Sequence, residues 1–395
     1  MLAMFTMMML TMLSNELMYE TNVEMIVSSQ AVNQVRAKYA AKAGLELSLL
    51  RLHAYRQAVA IAGKMIPESM LNVIWQFPLP WPLPVPEEMS AVDKDLIHTA
   101  VKDSLIQGQF FVSIESEGSK IDINDLGSPS KIMAQATRDQ LLQIISSKLE
   151  SDDEFARRYQ GYDFESLMNN LADWVDADTE SRGSGDESAI YGLRGSPTMP
   201  PNQPFKSLEE LHMVEGMTDE IFQLLAPQLT IYGAKGLNVN YAPKEVLMSL
   251  SPQITEDRAD QIIKDREDAS RGHFKDLSDF TSYLNTIGIS GNPFVNSEDQ
   301  PTVPLAFGPV HNFRIMSTGR SGKVTREITA VTYDYENVKK NLKSQLLSEY
   351  PPPKEDENSG KKLDPDQEKK KAAKKQAKES PPPMKRPTIV YWNER

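Results

Sequence analysis

From Ser14 to Gly63 the chain has no proline and one internal glycine, Gly44. Most residues of this stretch are good or tolerated helix formers, so it predicts an uninterrupted helix. The run before it, MLAMFTMMMLTML, is apolar apart from Thr6 and Thr11. Together they predict one helix of about 60 residues, far longer than the usual globular helix of about 8–20. The rest of the chain has to be arranged along such a rod. Ala37, Ala40, Ala41 and Gly44 are small residues at helical spacing, which lets other elements approach closely. The apolar run of 13 residues is shorter than the roughly 20 that cross a bilayer. No basic region precedes it and no A-x-A site follows, so an ordinary secretory signal fits poorly.

The sequence of 395 residues is long enough for two domains plus tails. Cysteine is absent, which excludes a disulfide framework and thiolate chemistry. Charge is uneven: Lys339–Arg395 carries 15 Lys and Arg against 9 Asp and Glu, whereas the remainder has 28 against 46, a net −18. So acidic a body disfavours nonspecific nucleic-acid binding, which needs cations against phosphate, and is compatible with divalent metal.

Past the helix, Ile66–Pro86 holds six prolines and predicts extended chain in its second half. Trp75, Phe77 and Trp81 favour an apolar connector packed on the fold over a PxxP recognition ligand. Gly108–Asn124 predicts a hairpin: Phe110, Val112 and Ile114 alternate with polar or outward positions, Glu117-Gly-Ser119 turns, and Ile121 and Ile123 resume. Phe313–Ser317, a turn at Gly319-Arg-Ser-Gly322 and a strand over Val324–Tyr335 predict a second pair. The intervening residues, about 128–300, read as helical. Strands on both sides of a helical block predict an α+β fold: one sheet interrupted by an inserted α-domain.

Within the insert, Ser207-Leu-Glu-Glu210 predicts a capping box, with Leu208, Leu211, Val214 and Met217 as the apolar face. Gly216–Asp219 turns into a helix ending at Leu225-Ala-Pro227. Ala242–Ile254, Arg258–Arg266 and His273–Phe280 repeat the plan, giving two short units similar to SAM-like or helix-hairpin-helix modules. In Asn238-Val-Asn-Tyr-Ala-Pro243 the asparagine amides tie a turn to neighbouring backbone, and Pro243 opens a helix. A DNA-binding reading of these units is weak. The turn Ser251-Pro-Gln-Ile254 lacks a glycine-rich phosphate cradle, and Glu215, Asp219 and Glu220 flank the other turn. The histidines (His53, His98, His212, His273, His311) form no metal-binding spacing, and no nucleophile or nucleotide-binding signature occurs, so nothing points to an enzyme.

Asp173–Glu187 holds six carboxylates in 15 residues. Such a Ser/Gly-rich loop suits Ca²⁺, which accepts six to eight oxygens in irregular geometry. The alternative is a solvated acidic loop with Asp173 capping a helix. From Asn341 onward the chain is Lys-, Pro- and Glu-rich and reads as a disordered tail. It closes on an apolar hook, Pro387–Trp392. A solvated tail is the simpler expectation, contact with anionic lipid or an acidic partner the other.

Three phrases in order, Leu171-Ala-Asp-Trp-Val-Asp-Ala-Asp178, Ser207–Glu220 and Leu237-Asn-Val-Asn-Tyr-Ala-Pro-Lys-Glu-Val-Leu247, together resemble the type II secretion protein K family, the largest minor pseudopilins. Ala37–Ser48 is similar to the segment where a pilin helix leaves the membrane and packs on its head. The resemblance implies a pilin-like fold. It consists of a long helix over 1–63 (its membrane segment over 1–15), a head from 64–127 and 304–338, an inserted α-domain over 128–303, and an added tail over 339–395. It implies Ca²⁺ held by Asp176, Asp178, Glu180 and Glu187. It also implies a non-enzymatic subunit capping the tip of the secretion pseudopilus, anchored once in the inner membrane with a periplasmic head. The implied partners are the other minor pseudopilins, the major pseudopilin and, given a longer N-terminus, prepilin peptidase, with no nucleic acid. Relatives begin with a basic leader and a glycine at the cut, and Met1 falls inside their mature sequence, so a late start is the expectation. The first acid, Glu16, lies past the apolar run. This departs from major pilins, agrees with protein K relatives and suits a tip subunit. The alternatives are a membrane-anchored helix-hairpin-helix DNA receptor and a calcium-binding adhesin.

Overall fold

In a computed structural model of the chain, residues 2–63, 65–85, 89–177, 181–183, 202–268, 270–296, 301–351 and 386–395 are described. Helix α1 runs unbroken over Leu2–Ala62, about 90 Å at 1.5 Å per residue. Its buried residues are Ala37, Ala40, Ala41, Gly44, Leu45, Ser48, Leu49, Leu52 and Tyr55. Steps of three and four mark one stripe facing one partner.

That partner is a four-stranded antiparallel sheet in the order β1 (Gln109–Ser116), β6 (Phe313–Ser321), β7 (Val324–Thr332), β8 (Ile389–Glu394). Phe110, Val112, Phe313, Ile315, Ile328 and Ala330 project from it onto α1. Glycines set the approach distance. A Cβ at Gly319 would stand 2.0 Å from the Ala37 carbonyl oxygen, and one at Gly44 would stand 2.4 Å from Ser317 Oγ. Ser317 Oγ instead donates to the Ala41 carbonyl at 2.7 Å. The short helix α2 (Glu68–Gln76) closes this core through Leu71 and Trp75. The Arg51 guanidinium caps it, donating to the carbonyls of Ile74 and Trp75. Helix α3 (Ala91–Asp103), capped by Ser90, has no buried residue.

The second core belongs to the inserted domain. It comprises β2 (Ile121–Asp122), α4 (Lys131–Ser151), α5 (Asp153–Arg158), α6 (Phe164–Val175), α7 (Asp219–Leu225), β3 (Leu229–Thr230), β4 (Leu237–Asn238), α8 (Lys244–Ser249), α9 (Glu256–Glu267), α10 (Leu277–Thr286) and β5 (Leu305–Ala306). Leu141, Leu171, Leu211, Ile221, Leu247, Ile262, Phe280 and Phe294 are completely or almost completely buried there. Helix α11 (Tyr335–Glu349) follows the sheet.

Five expectations change. Gly108–Asn124 is no hairpin: β1 pairs with β6, and β2 pairs in parallel with β3. The chain turns away at Glu117 because that side chain, fully buried, meets Arg314 and Thr230, and Ile121 and Ile123 then enter the helical core. The turn between β6 and β7 is only Gly322-Lys323; Gly319 is mid-strand, pressed on α1. Ser207 does not cap. Leu208–Met213 is a 3-10 helix without a side-chain cap bond, and Glu210 takes the amide of Lys206 instead. Phe77 is 56 % exposed although Trp75 is buried and Trp81 stacks on Phe110. Of the tail expected to be disordered, Asn341–Glu349 continues α11 and Ile389–Glu394 joins the sheet; residues 352–385 lie outside the described residues.

Candidate assembly surface and acidic loop

The sheet gives the molecule a direction. Its lower end lies at Gly108, whose α-carbon faces Ala40 and the carbonyls of Arg36 and Arg320. Its upper end, where Ser116 pairs with Phe313, lies by Tyr55, whose ring meets Phe313 edge-on at 6.0 Å. The helical domain leaves and rejoins the sheet at that upper end, with the Glu117 amide donating to the Asn312 carbonyl. At the other end α1 runs on alone: residues 2–32 are exposed throughout. Leu2, Met4, Met7, Leu10, Met18 and Met25 are each more than 60 % exposed. Thr6, Thr11 and Thr21 turn their hydroxyls back to carbonyls three or four residues earlier, which hides polar groups in an apolar surrounding. Among the described residues no helix is long and apolar enough to cross a membrane.

The head and the helical domain are fastened by buried polar groups. Arg314 meets the fully buried Glu117, and Thr230 donates to the same carboxylate. Within the helical domain, just past the junction, Lys235 Nζ reaches Asp122 at 2.8 Å and Asp125 at 2.5 Å. Burial works against that ammonium, but the two carboxylates outweigh it and hold the lysine charged. Asn312 Nδ2 donates to the carbonyls of Tyr232 and Gly233 while its Oδ1 accepts from the Asp334 amide. On the opposite side Tyr241 donates to Glu68 and accepts from Asn72. Burial pushes Glu68 up to about 7, the tyrosine hydrogen bond opposing it. Nearby His273 is lowered to about 4, by burial first and Arg266 second.

The asparagine turn does what its sequence predicts. Asn240 Nδ2 donates to the carbonyls of Phe274 and Phe307, its Oδ1 accepts from the Phe274 amide, and Asn238 Nδ2 donates to Gly308. Pro243 occupies the N-cap of α8 rather than its first helical position.

Of the four calcium candidates only Asp176 is among the described residues; Asp178, Glu180 and Glu187 lie outside them. Asp176 ends α6 and is met by the Arg182 guanidinium at 3.1 Å. Asp173 is 1 % exposed, and its two carboxylate oxygens accept the Arg182 amide at 3.2 Å, so it neither caps a helix nor faces solvent. Among the described residues no group of three or more His, Asp or Glu could hold a metal. In the described portion of the loop one arginine thus faces two carboxylates, Asp173 and Asp176. A cation entering there has to displace that guanidinium or be held by residues beyond it.

Sequence reasoning missed the Glu117–Arg314 and Asp122/Asp125–Lys235 pairs. Their partners are separated by 197 and about 110 residues, and no local pattern joins them.

Residues 119–234 and 237–302 match two family models, both described as type II secretion system, protein K. The type II secretion system protein K of Pseudomonas aeruginosa is 28 % identical over 185 residues, 46 % of this chain and 50 % of that protein. The chain therefore spans about half the length of the curated relative it matches. A crystal structure of the GspK-GspI-GspJ complex from the enterotoxigenic Escherichia coli type 2 secretion system shares the fold. Its TM-score is 0.53 at 17 % identity, covering 79 % of this chain and 95 % of that one.

Proposed function

We propose that this chain, which matches models of type II secretion system protein K over residues 119–234 and 237–302, is a minor pseudopilin that caps the tip of the secretion pseudopilus and helps it assemble. One observation carries this reading: the exposed first half of α1, apolar over residues 2–13, and the helical domain lie at opposite ends of the head. A subunit joined to a helical bundle through the first presents the second outermost, and a domain of that bulk leaves no room for another subunit above it. The role is structural, not enzymatic. The anchor is the inner membrane, with α1 entering it, and the head is periplasmic. The partners are other minor pseudopilins, as in the three-protein complex of the Escherichia coli neighbour, and the major pseudopilin below them.

The test is co-purification of the chain from Ser29 onward with the pilin-like proteins encoded beside it. A stable complex of fixed stoichiometry is expected. A chain that stays monomeric with every one of them, and whose deletion leaves secretion intact, defeats the reading. A DNA receptor finds no support in the family or in the acidic body.

The proposal includes Ca²⁺ at Asp176, Asp178, Glu180 and Glu187, supported by the density of carboxylates in that loop. Titration calorimetry should show saturable binding and chelator should lower the melting temperature. No heat and no shift would remove calcium while leaving the assembly role intact.

A further inference from the structure

The two outer strands of the head sheet are held in different ways. β1 buries Phe110 and Val112 in the core, each 4 % exposed. β8 buries no side chain of its own: Ile389, Val390, Tyr391 and Asn393 are half-buried, Trp392 and Glu394 exposed. Only Pro387, just before it, is buried. What holds β8 is mostly main chain, helped by Ile389 against the head core. Glu327 and Arg395 exchange both backbone hydrogen bonds, at 3.0 and 2.9 Å, and the Tyr333 amide donates to the Thr388 carbonyl at 2.9 Å. By antiparallel alternation, Thr329 with Asn393 and Val331 with Tyr391 are also bonded pairs. Two ion pairs flank the strand, Lys38 with Glu394 at 2.8 Å and Arg386 with Glu46, all four side chains 30–62 % exposed. Exposed pairs of this kind contribute about 0–1 kcal/mol each.

We propose that the edge of β7 away from β6 is a strand-accepting surface, and that the C-terminal segment Arg386–Arg395 is its resident but exchangeable occupant, which an extended strand of a neighbouring protein displaces. Recognition is β-augmentation: the main chain supplies affinity and alternate side chains supply choice. The surface states what it takes. Opposite Thr332 it accepts an aliphatic residue, where Ile389 packs on the head core. Opposite Ala330 it takes an aromatic, as Trp392 does. Opposite Ile328 it takes an acid that reaches Lys38. On the other face an aromatic meets Tyr232, as Tyr391 does at 6.2 Å. With β8 in place the edge of β7 is covered, so another strand pairs there only by displacing it. This inference stands on the sheet alone and does not depend on the assembly role.

Two measurements test it. In the first, a chain ending at Tyr350 is titrated with a labelled Arg386–Arg395 peptide. It should keep its fold and bind the peptide at least about tenfold more tightly than the full chain, whose own strand occupies the edge. A peptide carrying Asn393→Pro, which removes a bonded amide, should not bind. An unfolded truncated chain, equal binding by both chains, or undiminished binding of the proline peptide would each overturn the proposal. In the second, hydrogen exchange is followed in the intact full chain. Amides of Glu327, Thr329 and Val331, which face β8, should exchange about tenfold or more faster than those of Arg326, Ile328 and Ala330, which face β6. Equal protection would make β8 an integral strand and overturn the proposal.

Discussion

Residues 2–32 of α1 are exposed on every side; residues 2–13 are apolar all round apart from Thr6 and Thr11, and Glu16, Glu20 and Glu24 then line one flank at steps of four. Ala37–Tyr55 of the same helix buries nine residues in a single stripe. A period of 3.6 records one-sided packing, and the second half has it because a sheet lies along one flank. Over residues 2–13 the apolar side chains show no such stripe, which fits surroundings that are apolar from all directions. One continuous backbone thus serves two surroundings. The change occurs near Asn33, whose side chain meets Ser321 at the sheet's lower end.

The comparison breaks or sharpens under four measurements. Gly319→Val should have the largest effect. Any Cβ there strikes the α1 backbone at Ala37, so the head should lose roughly 3 kcal/mol or more by denaturant unfolding, at the upper end of what overpacking costs. Leu45→Ala, at a position 0 % exposed, should cost about 2–5 kcal/mol.

Third is a pH effect at the top of the packed half, where Glu68 is raised from 4.5 to about 7. A carboxyl whose folded pKa exceeds its unfolded value stabilises the fold while protonated, and that contribution is lost as pH rises from about 4.5 to about 7. His273, lowered to about 4, works the other way below its ordinary 6.5. The Glu68 share is therefore read as the difference between wild type and Glu68→Gln. Relative to wild type, the variant should gain about 2 kcal/mol between about pH 5 and about pH 8. A pH-independent difference would show that the carboxyl titrates normally.

Smallest is Leu10→Ala, which should leave unfolding unchanged within about 0.5 kcal/mol while weakening recovery of the chain in membranes or in complexes. If Leu10→Ala destabilised the isolated chain as Leu45→Ala does, the division of α1 into two halves would be wrong.

What could be read from the sequence was local. The length of α1, the small residues at Ala37, Ala40, Ala41 and Gly44, and the asparagine turn at Asn238 and Asn240 are each specified within a few residues of themselves. The strand pairings were not. Phe110, Val112 and Ile114 announce a strand but do not say that its neighbour is Phe313–Ser321 rather than the nearer Ile121 and Ile123. That choice belongs to a buried carboxylate, Glu117, and to Arg314 far along the chain. The tail misled for a related reason: its composition gives little core, and β8 needs little because backbone bonds and Ile389 hold it. In the acidic loop, carboxylate density was legible, but that Arg182 would turn back on Asp173 and Asp176 was not.

The helical domain departs after Ser116 and returns just before Phe313, and those two residues are partners across adjacent strands. Everything from Glu117 to Asn312 is therefore a detour between two points that already touch. A tight turn spans that gap, but replacing the detour would also strip Glu117 from Arg314, Tyr241 from Glu68 and Asn72, and Asn312, which holds the Tyr232 and Gly233 carbonyls, from the Asp334 amide. In geometric terms the head is a socket: the helical domain is mounted at its crown through one pair of adjacent strand ends.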